Sequence, residues 1–328
     1  MPTRREINHV RIVLDWDGTL TKRDTLHNVA AIGYGRNRHR DLVPWDQIVQ
    51  AYLSDYTEHE ASYRPAKKDR REIAQESAWL ASLRDVEMRS VTRVLDAEIF
   101  AEVTEQDVRV GAEVAVQRNE IQLRDGWKEV LSLARHHPRD EVADKHPSPV
   151  SIISVNWSTA FIRACLSTAL GDSISLMKGA VDAIPILSNR LPCETTDGIS
   201  EPASIRTSAD KLSAFQNLRD REEENEEDGP VFYVGDSPTD FDCLLAADVG
   251  ICVRDEPMGS GQAALKESLE RVGVEALRLD LDSSDRYLKE VAGRGGGQRE
   301  GSSKRVVWWV RDLREVAGFA EKLHNYLD

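Results

Sequence analysis

Cysteine is scarce in this chain of 328 residues: Cys165, Cys193, Cys243 and Cys252 are the only four, and no two stand at the spacing of a zinc knuckle or a redox pair. A disulfide framework and a structural zinc are therefore excluded as the source of stability. The four thiols read as small buried hydrophobes in a reducing compartment. Nor are such staples needed, because at roughly 150 residues per domain the length suffices for about two domains with a sizeable core. Long apolar runs are missing too, none approaching the roughly 18 residues that span a bilayer. The charged opening Met1-Pro2-Thr3-Arg4-Arg5-Glu6-Ile7 leads straight into the strand-like Val10 to Leu14, with no secretory apolar stretch between. Positive charge is in deficit, 43 Lys and Arg against 57 Asp and Glu for a net charge of −14. Duplex nucleic acid and anionic membranes would repel such a surface. We therefore expect a soluble protein of the cytoplasm, with the nucleus also open to it, that binds neither nucleic acid nor membrane; no protein partner is indicated. With 40% hydrophobic and 30% charged residues the balance is that of a globular chain.

Four short apolar runs rich in β-branched residues, Val10 to Leu14, Val150 to Val155, Val231 to Val234 and Val249 to Val253, have the character of strands in a parallel sheet covered on both faces. They alternate with helical patterns, which predicts an α/β core. About a hundred residues after Leu20 show no comparable run, only apolar and charged residues mixed at helical spacing. That is far too long for a loop and reads as an inserted all-helical domain. The expected division is a core of residues 1–24 and 121–328 with a helical insertion at 25–120. Arg124-Asp125-Gly126-Trp127 is the turn at which the chain re-enters the core. Residues 138–149, 220–228 and 293–303, rich in proline, acid or glycine and serine, are expected as loops. Arg294-Gly295-Gly296 is a single copy and no RNA-binding repeat. Val306 to Val310 and the helical pattern to Leu327 predict a last strand and helix, with Trp308 and Trp309 on opposite faces.

The chemistry concentrates after the strands. Asp15-Trp16-Asp17-Gly18-Thr19 follows the first run directly, where open α/β sheets place ligands. If the chain stays extended through Asp17, both carboxylates lie on one side with Trp16 opposite. Two close carboxylates repel unless a proton or a cation intervenes, and an all-oxygen site suits Mg²⁺. Gly18 frees the backbone to turn. A second cluster, Gly235-Asp236-Ser237-Pro238-Thr239-Asp240, follows the run at Val231 and belongs at the same sheet edge. Asp236 can complete an oxygen shell; Asp240 can do so or cap the following helix. Ser154 ends a third run, and its hydroxyl with the backbone amides of Val155 and Asn156 ahead of a helix start can cradle a phosphate. Lys211, at the opening of another helix, can reach the same rim, and Lys178 is its rival. His136-His137, adjacent on a helix end, do not face one another and make no metal pair.

Asp15, Asp17, Ser154, Lys211, Asp236 and Asp240, in this order and these contexts, resemble the haloacid dehalogenase (HAD) superfamily of phosphatases. The position of the helical insertion and the turn at Arg124 are similar to its phosphoserine phosphatase branch and to some fungal HAD-like hydrolases of unassigned substrate. The chain departs from the branch in having Val155-Asn156-Trp157 where glycines follow the serine, and Thr239 where an asparagine precedes the last aspartate. The resemblance implies a Rossmann-like core with a C1-type helical cap and an Mg²⁺-dependent hydrolysis of a small phosphomonoester. Asp15 would be the nucleophile, forming an aspartyl phosphate, and Asp17 the general acid and base. Ser154, Val155, Asn156 and Lys211 would bind phosphate. Asp15, Asp236, Asp240 and the backbone carbonyl of Asp17 would surround the metal. Asp24, where the branch has a glutamate, and His27 are the candidates for substrate contact. Two other classes fit the same residues: a catalytically silent binding protein, and a phosphoprotein phosphatase, which needs an open site.

Overall fold

Residues of the first strand, β1 (Arg11–Leu14), are all buried, and their side chains divide by alternation. Ile12 and Leu14 join the larger apolar cluster and Val13 the smaller. The same alternation runs through β2 (Val150–Ile153), β4 (Val231–Gly235) and β5 (Val249–Val253); Phe232 and Val234, for example, face one cluster and Val231 and Tyr233 the other. Each strand is thus apolar on both faces, the pattern of a parallel sheet covered on both sides. The computed structural model describes residues 10–133, 148–171, 179, 181–195, 205–223, 229–280 and 306–327. Within them the sheet has seven strands in the order β3-β2-β1-β4-β5-β7-β6, every pair parallel. β1 lies between β2 and β4, with Ile12 opposite both Val150 and Phe232.

The expected α/β class is therefore what the chain adopts. Two strands have no sequence signal: β3 (Ile186–Leu187) is only two residues, and β6 (Glu275–Arg278) is an edge strand with both charged ends exposed. The final strand β7 (Val306–Val310) forms as expected, with Trp308 buried against one cluster and Trp309 packed on the other. The expected loop at 220–228 is corrected in its first part. Helix α8 (Ser208–Glu223) continues through residues 220–223, since Asp-Arg-Glu-Glu holds no residue that breaks a helix. Residues 224–228 lie outside the described residues, as do 134–147, 172–178 and 281–305, and with them most of the other two expected loops, His136, His137, Arg294 and Lys178.

Between β1 and the re-entry turn at Arg124 the chain makes five α-helices: α1 (Leu26–Arg36), α2 (Trp45–Ser62), α3 (Ile73–Ser82), α4 (Arg84–Asp96) and α5 (Glu105–Gln117). The two ends of this insertion run side by side. Lys22 N donates to the Gln122 carbonyl at 2.9 Å and Arg124 N to the Leu20 carbonyl at 2.8 Å. The core helices are α6 (Trp127–Ser132), α7 (Thr159–Leu170), α8, α9 (Phe241–Ala246), α10 (Ser260–Arg271) and α11 (Leu313–Leu327). α6, α7 and α11 bury their apolar sides on one face of the sheet; α8, α9 and α10 cover the other. The insertion packs on both: Val108 and Ala112 of α5 join the first cluster, Trp79 and Leu80 of α3 the second. Cys165, Cys243 and Cys252 are buried, Cys193 half-buried, and all four are free thiols, as the sequence suggested. No described helix is long and apolar enough to cross a membrane.

At the re-entry turn Gly126 has φ +88°, and a Cβ there would lie 2.0 Å from the backbone nitrogen of Arg314. That approach lets Leu313 N donate to the Asp125 carbonyl at 2.8 Å, tying α11 to α6. Gly126→Ala combines a strained backbone with a backbone clash and should cost about 2 to 4 kcal/mol. Urea denaturation checks it; a cost under about 0.5 kcal/mol, the range of an unconstrained surface site, would contradict so close a contact.

Candidate active site

Strand β1 stops at Leu14 because the next residues turn. Asp15 N still donates to the Val234 carbonyl of β4 at 2.9 Å, and the backbone stays extended at Asp15 and Asp17 before Gly18 swings to φ +76°. A Cβ on Gly18 would meet Asp236 Oδ2 at 2.2 Å, so glycine here lets the first motif close onto the second. The expected extension does not run unbroken through Asp17, because the strand ends at Leu14 and a helical turn begins at Trp16, and the two carboxylates have separate partners. Asp15 Oδ1 accepts from Lys211 Nζ at 2.6 Å. Asp17 Oδ1 accepts from the backbone N of Thr25 at 2.7 Å and its hydroxyl at 2.6 Å, and Oδ2 from Asn156 Nδ2 at 3.0 Å.

Lys211 is completely buried and also donates to Asp240 Oδ1 at 2.7 Å. Burial alone would strip its charge, but the charges of Asp15 and Asp240 outweigh that and hold its pKa above the ordinary lysine value. Asp240, also fully buried, accepts from Lys211 and the Tyr233 hydroxyl on one oxygen, and from the backbone N–H groups of Asp236 and Ser237 on the other. Asp240 makes no side-chain cap to the helix that follows; it closes the turn at Ser237 and anchors the lysine. Asp236 accepts from the Thr19 hydroxyl at 3.3 Å on Oδ1.

Carboxylate oxygens of Asp15, Asp236 and Asp240 lie within 4.8 Å of one another, three acids facing a single lysine. Burial pushes Asp15 well above the usual carboxylate range, and the charge of Asp240 adds to it. Asp236 is pushed up to about 8 by the same two causes in the same order. A divalent cation with hard oxygen preference relieves both, so this donor set fits Mg²⁺. Asp240, with both oxygens occupied by donors, has the least to offer; Asp15 and Asp236 each have an oxygen without a hydrogen bond among the described residues. The Asp17 side chain is not part of the cluster, which leaves only its backbone carbonyl for the metal position assigned to it. Asp17 is raised to about 6 by burial and then by the charge of Asp24, against the hydrogen bonds from Asn156 and Thr25.

Ser154 is fully buried at the end of β2, where its hydroxyl accepts from Asn156 N at 3.0 Å. Asn189, two residues after β3, fastens this loop by donating through Nδ2 to the Val155 carbonyl at 2.9 Å. Asn156 orients its amide by accepting from Ser158 N at 3.3 Å. Asp24 sits at the exposed rim and accepts from Leu26 N at 2.8 Å, capping α1, and His27 is exposed on the first turn of that helix.

Sequence reasoning overlooked several positioning groups. Thr25, whose hydroxyl also receives the Trp16 indole N–H at 3.1 Å, stands just before a helix, and that position was its only signal. Tyr233 points inward from a strand by simple alternation. Arg124 was read as part of a turn, yet its guanidinium donates to the Gly18 carbonyl at 2.7 Å and the Thr19 carbonyl at 3.0 Å while pairing with Asp255. It clamps the loop that follows Asp15 from the far end of the insertion.

No protein-family model matches the chain. It is 24% identical over 233 residues to the mitochondrial bifunctional TH2 protein of Arabidopsis thaliana, 70% of this chain but only 33% of that protein. It is 21% identical over 309 residues to cold tolerance protein 1 of Saccharomyces cerevisiae, covering 87% of this chain and 92% of the yeast protein. Among solved structures it is similar to a phospho-aspartyl intermediate analogue of phosphoserine phosphatase, with a TM-score of 0.40 and 14% identity over 79% of this chain and 91% of that one.

Proposed function

We propose that this chain is a phosphomonoester hydrolase acting through an aspartyl phosphate, with helices α1 to α5 as its cap. The observation that carries the reading is the separation of the two motif carboxylates. Asp15 is paired with a buried lysine at the sheet edge, while Asp17 has a pKa of about 6 and a scaffold of its own. Groups whose environments differ in this way divide nucleophilic and proton-transfer roles.

Asp15 attacks phosphorus through a carboxylate oxygen, forming the acyl phosphate as the bond from phosphorus to the ester oxygen breaks. Asp17 gives its proton to the departing oxygen. Thr25 and Asn156 keep its carboxyl aimed while it does so. In the second step Asp17 takes a proton from water as the water oxygen attacks phosphorus and the acyl phosphate bond breaks, restoring Asp15. Lys211, the Ser154 hydroxyl and the backbone amides after it balance charge on the transferring oxygens. Asp15 and Asp236 would hold Mg²⁺, whose charge, when bound, offsets that of the carboxylates and the phosphoryl group. Arg124 and Gly18 keep the loop of Asp15 against Asp236.

The test is phosphate release from 4-nitrophenyl phosphate by the full chain, with Mg²⁺ and with chelator. Release that needs Mg²⁺ is expected. Folded protein that binds Mg²⁺ yet releases nothing from this ester or from a panel of small phosphomonoesters would sink the reading.

A further inference from the structure

A cavity of about 240 Å³ lies between helices α2, α3 and α4 and the ends of the core elements. Its core wall is built from the neighbours of the proposed catalytic residues. Ser237 and Thr239 stand on the loop between Asp236 and Asp240, and Thr207 and Ser208 precede Lys211. Arg206 lines it too, with its guanidinium 5.2 Å from the ring centroid of Trp157, the residue after Asn156. The far wall is aromatic and aliphatic: Tyr52, Tyr56, Trp79, Leu80 and Leu83. An apolar cavity of about 150 Å³ accommodates a benzene ring, so this one has room for a single substituted ring.

The polar groups of the cavity are unequally engaged. Its charged lining is balanced, Lys67, Arg70 and Arg206 against Glu60, Glu76 and Glu87. Arg70 is bound to Glu76 at 2.8 Å and Lys67 to Glu267 at 2.8 Å. Arg206 differs. It is 8% exposed, its Nε is buried with no partner, and its side chain makes no hydrogen bond or ion pair among the described residues. Glu87 attracts it electrostatically without touching it, and accepts a hydrogen bond from the Tyr52 hydroxyl at 2.7 Å. Buried guanidinium groups left without acceptors are rare because the desolvation goes uncompensated. A donor and an acceptor facing one cavity without contact suit a ligand that bridges them.

We propose that this cavity is the leaving-group pocket and selects a phosphomonoester whose alcohol carries one flat heterocyclic amide, with its carbonyl oxygen on Arg206 and its N–H on Glu87. The balanced lining charge favours such an uncharged edge over a carboxylate or an amine, and the aromatic wall favours a ring over an open chain. The phosphoryl end of this inference rests on the phosphatase reading above. Arg206 and Glu87 are then the specificity pair of the site, since a pocket built to hydrogen-bond a group discriminates strongly against an analogue that lacks it.

The test measures binding, so that it does not depend on turnover. The Asp15→Asn chain is titrated calorimetrically in Mg²⁺ with (2-oxo-1,2-dihydropyridin-4-yl)methyl phosphate, with benzyl phosphate, and with the unphosphorylated pyridone alcohol. The pyridone ester should bind at least 10-fold more tightly than the benzyl ester. In Arg206→Met, and separately in Glu87→Gln should the first variant not fold, the difference should fall below 3-fold. Equal affinity for the two esters overturns the pocket and leaves the phosphatase reading standing. Binding of the pyridone alcohol that depends on Arg206, with no gain from its phosphate, supports the pocket and counts against the phosphatase reading. Binding of none of the three overturns the pocket.

Discussion

Asp15→Asn should lower phosphate release at least about 10³-fold, the effect of removing a nucleophile that no neighbour replaces, and should at the same time make the metal-free protein more stable at pH 8. Both results come from one feature, a buried acid cluster whose charge exceeds that of its lysine. Asparagine keeps an oxygen for Lys211 but cannot form the acyl phosphate. It also removes one buried negative charge. The sign follows from the raised pKa values. Asp15 and Asp236, pushed well up and up to about 8, hold protons in the folded state that the unfolded chain releases near pH 4. The contribution of these two groups to the stability of the metal-free chain is therefore fully present below about pH 4 and is lost as pH rises, for Asp236 through about 8. Mg²⁺ should flatten that slope in the unaltered chain, and Asp15→Asn should make it shallower without metal because one group no longer titrates. Thermal midpoints from pH 5 to 9, with Mg²⁺ and with chelator, test this. A slope of the opposite sign would show that the carboxylates are not held against their charge, and activity retained by Asp15→Asn would remove the nucleophile assignment.

The sequence made Asp15 and Asp236 conspicuous because each follows an apolar run that had to be a buried strand, and a carboxylate at such a strand's end has a definite place. Lys211 was legible only as one of two lysines, for its pairing with Asp15 spans 196 residues and no local pattern carries a contact of that range. Asp24 was read toward substrate from its place after the first motif; the structure has it exposed, accepting from Leu26 N at the start of α1. β3 and β6 went unread because an edge position relaxes the demand for apolar residues on both faces. Arg206 was unreadable for a different reason: its meaning lies in partners that it lacks, and an unmade bond leaves no trace in a residue pattern.

Lys211→Met should be the most destabilising of these substitutions, at about 3 to 5 kcal/mol in chelator at pH 8, the cost of leaving buried charges without their partner. The lysine's own titration does not complicate this. Its raised pKa means that its stabilising charge is fully present below the unfolded value near 10.4 and is lost only above that, so it acts throughout the working range. What changes with pH is the carboxylates. At pH 5 Asp15 and Asp236 can take up protons in the folded state, so the cost of losing Lys211 should shrink there. Lys211→Arg should not rescue, because a site with no exposed surface has no room for the larger fork. Adding Asp240→Asn to Lys211→Met should recover part of the loss, since the second change removes the charge that the first stranded, and the double variant should be less destabilised than the two single costs summed. Urea denaturation of the unaltered chain, of Lys211→Met, of Asp240→Asn and of the double variant decides it. Simple additivity, or a single cost under about 1 kcal/mol, would mean that Lys211 is not what holds the carboxylates of this site together, and that a cation alone must do so.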